Sequence, residues 1–240
     1  MKRLISLIAI LSVTIGMNAA NLPDFPFVVA TGEAERDVKP DLATVTINIL
    51  SFDKESAAAL DQANAASEHI ISLMEKYEID INKLEAGNLN KSVSRNRINF
   101  KDVDILGYEV SRNLMLELDE LSNYSDLMNE IVATQNVSRV ETEFDASNRK
   151  NIEQELLEEA SRDARDQAKV IVRSLDAKIH SLYAISKANN FNQFLGTFGA
   201  VSYSSLNFQM SRDNRRPTDM FIPDTISIGQ SIHVVFRIKP

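Results

Sequence analysis

Cysteine is absent from this 240-residue chain, and histidine occurs only three times. The missing thiols exclude disulfides, thiol nucleophiles, Cys-ligated zinc and iron–sulfur clusters, so the protein brings no redox chemistry of its own to an oxidising compartment. His69, His180 and His233 stand far apart, and no HExxH or HxxH gives metal-ligand spacing. A GxSxG elbow, a P-loop and a GxGxxG are missing too. Asp163 and Asp166 are the nearest approach to paired carboxylates. They lie in a densely charged helical pattern, with no sign of the cleft that glycosidic chemistry needs between them. The expectation is no catalytic residue, no metal site and no cofactor.

A long hydrophobic run is also lacking. Leu4 to Met17 is apolar except for Ser6, Ser12, Thr14 and Gly16, which falls short of the roughly 18–20 apolar residues that a membrane span needs. Met1-Lys2-Arg3 precedes it and the small residues Ala19 and Ala20 follow, which is the layout of a secretory signal peptide over residues 1–20. Asn18 suits the small-residue rule poorly, and an uncleaved anchor is the alternative. Without cysteine no lipobox anchor is available. Beyond residue 20, 24 Lys and Arg face 34 Asp and Glu, a net charge of −10. That balance disfavours nucleic acid and anionic membrane surfaces as partners.

From residue 27 onward the chain reads as alternating elements. Phe27 to Ala30 is a short strand ending at Thr31-Gly32-Glu33, and Lys39-Pro40-Asp41 is a turn. Ala43, Val45, Ile47 and Ile49 alternate with polar residues, the period of a half-buried strand. Ser56 is placed to cap a helix whose stripe is Leu60, Ala63, Ala66, Ile70, Leu73, Met74 and Tyr77. Leu84 to Val93 is a strand, Ser94 to Asp104 a loop. Gly107 opens a strand with Tyr108, Val110, Leu114, Leu116 and Leu118 on one face beside Arg112. Ser122 is placed to cap a second helix to about Gln135, and Val137 to Phe144 is a strand. This order is that of a split βαβ unit, so the fold class expected is α+β: a mixed or antiparallel sheet packed with three main helices.

The third helix spans Asn148 to Leu175, with the stripe Ile152, Leu156, Ala160, Ala164, Ala168, Ile171 and Leu175. Its central alanines imply close approach to a partner. Strands follow at His180–Ser186 and Ser231–Ile238. Residues 189–221 between them hold no sustained period, yet carry Phe191, Phe194 and Phe198, a candidate interaction surface, since exposed aromatic patches mark contact sites. The mature chain is read as one domain, 21–240, divisible into a core at 27–146 and a remainder at 147–240. Lys91, Arg95, Arg97 and Lys101 with Phe100 make a basic cluster, read as a solvated hairpin because the whole is acidic. Sequons at Asn90, Asn123 and Asn136 matter only in a eukaryotic secretory pathway.

Val29-Ala30-Thr31-Gly32-Glu33-Ala34, Lys39 to Val45, Leu106-Gly107-Tyr108, the alanines of the third helix and Val234-Val235-Phe236 together resemble the SIMPL domain family, over almost the whole mature chain. Two features depart from it. Leu175-Asp176 stands where the family tends to place Gly after the third helix, and the 189–221 stretch matches nothing in it. The resemblance implies an α+β periplasmic protein linked to oxidative-stress defence, without agreed site residues. Its partners are expected to be further copies of itself, as a homo-oligomer, or an envelope protein. A non-enzymatic binding or assembly protein is the leading reading; a hydrolase with an unrecognised carboxylate or Ser site and a small-molecule carrier are the alternatives. If residues 1–20 are a cleaved signal, the intact mass of exported protein will lack them; a full-length mass in that fraction contradicts the reading.

Overall fold

The computed structural model describes residues 23–98, 101–187 and 221–240. Residues 1–20, read above as a signal peptide, and Phe191, Phe194 and Phe198 lie outside them. The elements are β1 (Phe27–Val38), β2 (Leu42–Asp53), α1 (Ser56–Lys76), β3 (Leu84–Ile98), β4 (Lys101–Leu118), α2 (Tyr124–Ala133), β5 (Val137–Asp145), α3 (Arg149–Arg173), β6 (Lys178–Ser186) and β7 (Ile226–Lys239). The class is α+β, as expected, with two antiparallel sheets and three helices.

Two compact units divide these elements: 34–159 with 221–230, and 23–33 with 160–187 and 231–240. In the first, β2-α1-β3-β4-α2-β5 form a four-stranded sheet ordered β3-β4-β2-β5. That arrangement is the split βαβ unit read from the strand and helix order. Val45, Ile47 and Ile49 of β2 and Val110, Leu114 and Leu116 of β4 point to one face and are buried. Ala63, Ile70 and Met74 of α1 and Leu127, Met128 and Ile131 of α2 complete this core. The alternation in β2 and β4 is the direct cause: one face apolar, one polar, so the helices cover only the first. A smaller cluster joins Ile152 and Leu156 of α3 to Ile228, Ala34 and Val38.

The other sheet runs β1-β7-β6. β6 pairs antiparallel with β7, from Lys178 opposite Lys239 to Ser186 opposite His233. In the second unit, α3 lies against β1 so closely that a Cβ on Gly32 would sit 1.9 Å from the Ala160 carbonyl oxygen and 2.8 Å from the Ala164 Cβ.

Several expectations are corrected. Gly32 does not end β1, which continues to Val38; the glycine serves close approach to α3, not a turn. Residues 94–98 and 101–104 are strand, not loop. The stretch opens with the polar run Ser94-Arg95-Asn96-Arg97, which offers no apolar alternation to read. Ser56 and Ser122 do not cap: Glu55 and Asn123 hold the N-cap positions without side-chain bonds. Asp53 instead accepts from the Glu55 N–H at 3.0 Å. In α1, Ala59 is buried and Leu60 is 37% exposed. In α3, Val172 is buried while Ile171 and Leu175 are 42% and 72% exposed. The stripe keeps its four-residue step to the end, winding slowly around a helix of 3.6 residues per turn. β7 begins at Ile226, five residues early.

Where the family tends to have Gly, Asp176 adopts φ 56. The Ala177 N–H reaches the Val172 carbonyl at 3.0 Å, and the Asp176 N–H that of Arg173 at 3.2 Å. These are the two bonds of a Schellman motif, so the left-handed cap is kept with an aspartate in it. α1 ends the same way at Glu78, φ 57.

The α3 contact sets a stability prediction. Gly32→Ala and Ala164→Leu each overpack a closed contact and should destabilise by roughly 1–3 kcal/mol. Arg165→Ala, on the exposed side, should change stability by less than about 0.5 kcal/mol. Denaturant melts in which all three behave alike would contradict this packing.

Candidate functional site

The residues that carry the family resemblance at the N-terminus cluster on β1 and the turn after it, where their polar groups could have formed a site. Alternation puts Gly32 toward α3 and Thr31 on the opposite face. Thr31 Oγ1 lies 2.9 Å from Nδ1 of His233 on β7, and that histidine is only 8% exposed. Burial holds the His233 imidazole below the ordinary histidine value, and the neighbouring Glu33 carboxylate offsets part of this. The Glu33 N–H is donated to Asp163 Oδ2 at 3.1 Å, and Gln167 donates to the same oxygen at 2.8 Å. Asp166 pairs with Lys169 at 2.8 Å. The two aspartates are thus engaged separately, each within its own set of bonds, on an exposed helix face.

Further along β1, the Arg36 guanidinium bridges Glu155 at 2.6 Å and Glu159 at 2.8 Å on α3. Asp41 of the Pro40 turn accepts the Ser147 hydroxyl at 2.6 Å and the Ser147 N–H at 2.7 Å, just before α3. The Ser147 hydroxyl, then its N–H, hold the Asp41 carboxyl below the usual aspartate value. Gly107, opening the regular part of β4, is likewise structural. A Cβ there would meet the Phe52 ring and the Asp53 carbonyl oxygen, each at 2.6 Å. The exposed ring thus lies over the bare backbone, an arrangement that offsets the missing side chain in a strand.

Two shallow clefts open on the first unit. One, of about 330 Å³, lies between α1 and the turn into β5, lined by Gln62, His69, Thr134, Gln135 and Asn136. The other, of about 260 Å³, is lined by Tyr77, Asp80, Lys83, Glu117 and Asp119 among others. Lys83 pairs with Asp119 at 2.7 Å, and this bond raises the lysine above its ordinary value and keeps it charged. Neither cleft is lined by Thr31, His233, Asp163 or Asp166. Among the described residues no three His, Asp or Glu side chains are grouped to hold a metal ion. His69 is exposed on α1, and His180 is exposed on β6 with Nδ1 3.0 Å from the Ser181 hydroxyl. Of the basic cluster, Lys91 and Arg95 are exposed on β3, in a hairpin as read.

The Thr31–His233 contact and the Arg36 bridge went unread in the sequence. Thr31 and His233 are 202 residues apart, and only the β1–β7 pairing could have brought them together.

An α+β chain with a split βαβ unit, and with its signature polar groups bonded within the fold, is thereby defined. The chain belongs to the SIMPL family, described as a protein of unknown function (DUF541), whose model matches residues 28–236. It is 24% identical over 249 residues to the uncharacterised protein YggE of Escherichia coli K12, covering 99% of this chain and 94% of that one. The 26 kDa periplasmic immunogenic protein of Brucella melitensis is 28% identical over 109 residues, 44% of each chain. Ribosomal protein S6 of Thermotoga maritima overlaps 49% of the chain at 12% identity, but the TM-score of 0.23 supports no functional comparison.

The His233 environment predicts a pH dependence. Burial places its folded value below the ordinary histidine value of 6.5, so the folded state disfavours the proton. Stability from this residue is present above pH 6.5 and is lost as pH falls through the folded value. Melting temperatures should drop as pH goes from about 7 to about 5, and His233→Gln should flatten that slope. Parallel slopes in the two proteins would show that His233 is not responsible.

Proposed function

We infer that this chain is an exported, non-enzymatic binding or assembly protein that works in the periplasm. The observation that carries this reading is the use of its signature polar residues. Thr31 and Asp41 bond through their side chains, and Glu33 through its N–H, to other parts of the fold, as does Arg36 between them. Such groups tie strand to helix and strand to strand, and none of the four lines either cleft.

The compartment is supported by the name of the Brucella relative and by the N-terminal pattern of residues 1–20. Among the described residues no helix is long and apolar enough to cross a membrane. A link to envelope or oxidative stress rests on the family resemblance. Phe191, Phe194 and Phe198 remain the proposed contact surface for a second copy or an envelope partner.

A hydrolase is the second reading, because Thr31 and His233 form a hydroxyl–imidazole pair at 2.9 Å. The imidazole is buried, however, and neither cleft includes either residue. Light scattering on the purified mature protein should give a mass above one chain, or crosslinking in cells should capture a discrete envelope protein. Ester or peptide turnover that disappears in Thr31→Val would replace the binding reading with the hydrolase.

A further inference from the structure

Among the described residues β3 is an outer strand of the four-stranded sheet, hydrogen-bonded only to β4. Its register with β4 is irregular between Ala86 and Leu89 and again between Ser94 and Arg95. Between these points Leu89 to Ser94 run straight, opposite Arg112 to Gly107. Six residues of regular strand therefore present, among the described residues, an unpaired row of N–H and C=O groups.

The side chains on this edge form a simple pattern. Leu89, Lys91 and Val93 share the face of their β4 partners Arg112, Val110 and Tyr108. Leu89 is 46% exposed and Val93 42%. Lys91 lies between them, its Nζ 4.9 Å from the centre of the Tyr108 ring. That contact holds the lysine stem along the sheet face. Arg112 adds a second positive charge to this face, half-buried, with Nη1 donating to Ser67 Oγ at 3.1 Å. The carboxylates of β3 and β4 near this stretch, Glu85, Glu109 and Glu117, occupy positions of the opposite face. Asp53 of β2 lies opposite Tyr108 and shares the face of Lys91, one strand beyond β4, where it accepts from the Gln62 amide at 3.0 Å. Over β3 and β4 this face carries the positive Lys91 and Arg112, in a chain of net charge −8.

We propose that the Leu89–Ser94 edge receives an extended acidic segment of another polypeptide, which adds a fifth strand beside β3. Its backbone completes the unpaired row, as in other strand-addition complexes. Alternate side chains stand about 7 Å apart on one face of a strand. The segment therefore reads apolar–x–acidic–x–apolar, with its carboxylate against Lys91 and its apolar residues against Leu89 and Val93. A lysine on an edge strand ordinarily repels pairing. Here half-exposed apolar residues flank it at both next-neighbour positions, and among the described residues no carboxylate of β3 or β4 near it shares its face. It discriminates among incoming strands by charge, and does not simply exclude them.

The proposal rests on the binding-protein reading and names one of its surfaces. The test uses isotope-labelled mature chain titrated with the blocked heptapeptide Thr-Val-Thr-Glu-Thr-Val-Thr, and with the version carrying Lys in place of Glu. Amide shifts should centre on Leu89–Ser94, and the Glu peptide should bind about fivefold more tightly. Lys91→Glu should reverse the order, and Lys91→Thr should abolish it. No binding, or equal binding of both peptides to the wild-type chain, overturns the proposal. So does uptake of vesicles with one-third phosphatidylglycerol at these residues in place of the peptide. The peptide's mass is followed throughout. Intact but unbound peptide sinks this surface alone, whereas cleaved peptide sinks the non-enzymatic reading beneath it.

Discussion

The close approach of β1 and α3 at Gly32 is the constraint that organises the signature residues. A glycine in a strand costs backbone entropy and contributes no packing. It is tolerated here because the Ala160 carbonyl and the Ala164 backbone occupy the space where a side chain would be. Alanine on the helix and glycine on the strand are two halves of one contact. Once the backbones are this near, polar groups on both sides fall within bonding reach, and Glu33 N–H meets Asp163 as a consequence. Four residues along, on the same strand and helix, Arg36 reaches two glutamates one turn apart.

Those ionic contacts add little stability by themselves, since solvent screens exposed pairs of this kind. Their meaning is geometric. Arg36 holds two acceptors at once, and Asp41 accepts two donors from Ser147, so each restricts the angle at which β1 and the following turn meet α3. Thr31 applies a similar restraint on the other face, through a buried imidazole. The segment that carries the family resemblance is therefore a set of braces. A brace and a catalytic dyad can share residue types, and here the pair is marked as a brace by its buried imidazole, which lines neither described cleft.

Legibility followed solvent exposure. The two faces of β2 and of β4 were readable because one is covered by helices and the other is not, which forces strict alternation. The four-residue step of α3 was readable through Ala168 for a related reason: its small residues mark a contact. The stretch from Ser94 to Arg97 is polar throughout, so it carries no apolar period and reads as a loop. The helix starts misled because Ser56 and Ser122 fit the cap preference, while a carboxylate from the preceding strand, Asp53, serves the first turn of α1. Asp176 shows the converse. The sequence departs from the family there, yet aspartate reaches the left-handed conformation, so the cap geometry is unchanged. The long-range pairs were beyond reading, since strand order β1-β7-β6 joins the two ends of the chain and no local pattern encodes it.

Function in such a molecule has to be sought where bonding capacity is left over. The four-stranded core spends its apolar face on α1 and α2, and the polar residues of β1 are spent on α3 and β7. What remains among the described residues includes exposed apolar side chains on β3 and the backbone of that outer strand. A catalytic site needs several groups held in one concave place. A binding surface needs only a regular edge, a little apolar area and a charge to select the partner. The structure retains those three together along six residues of β3, on a face whose positive charge runs against that of the chain as a whole.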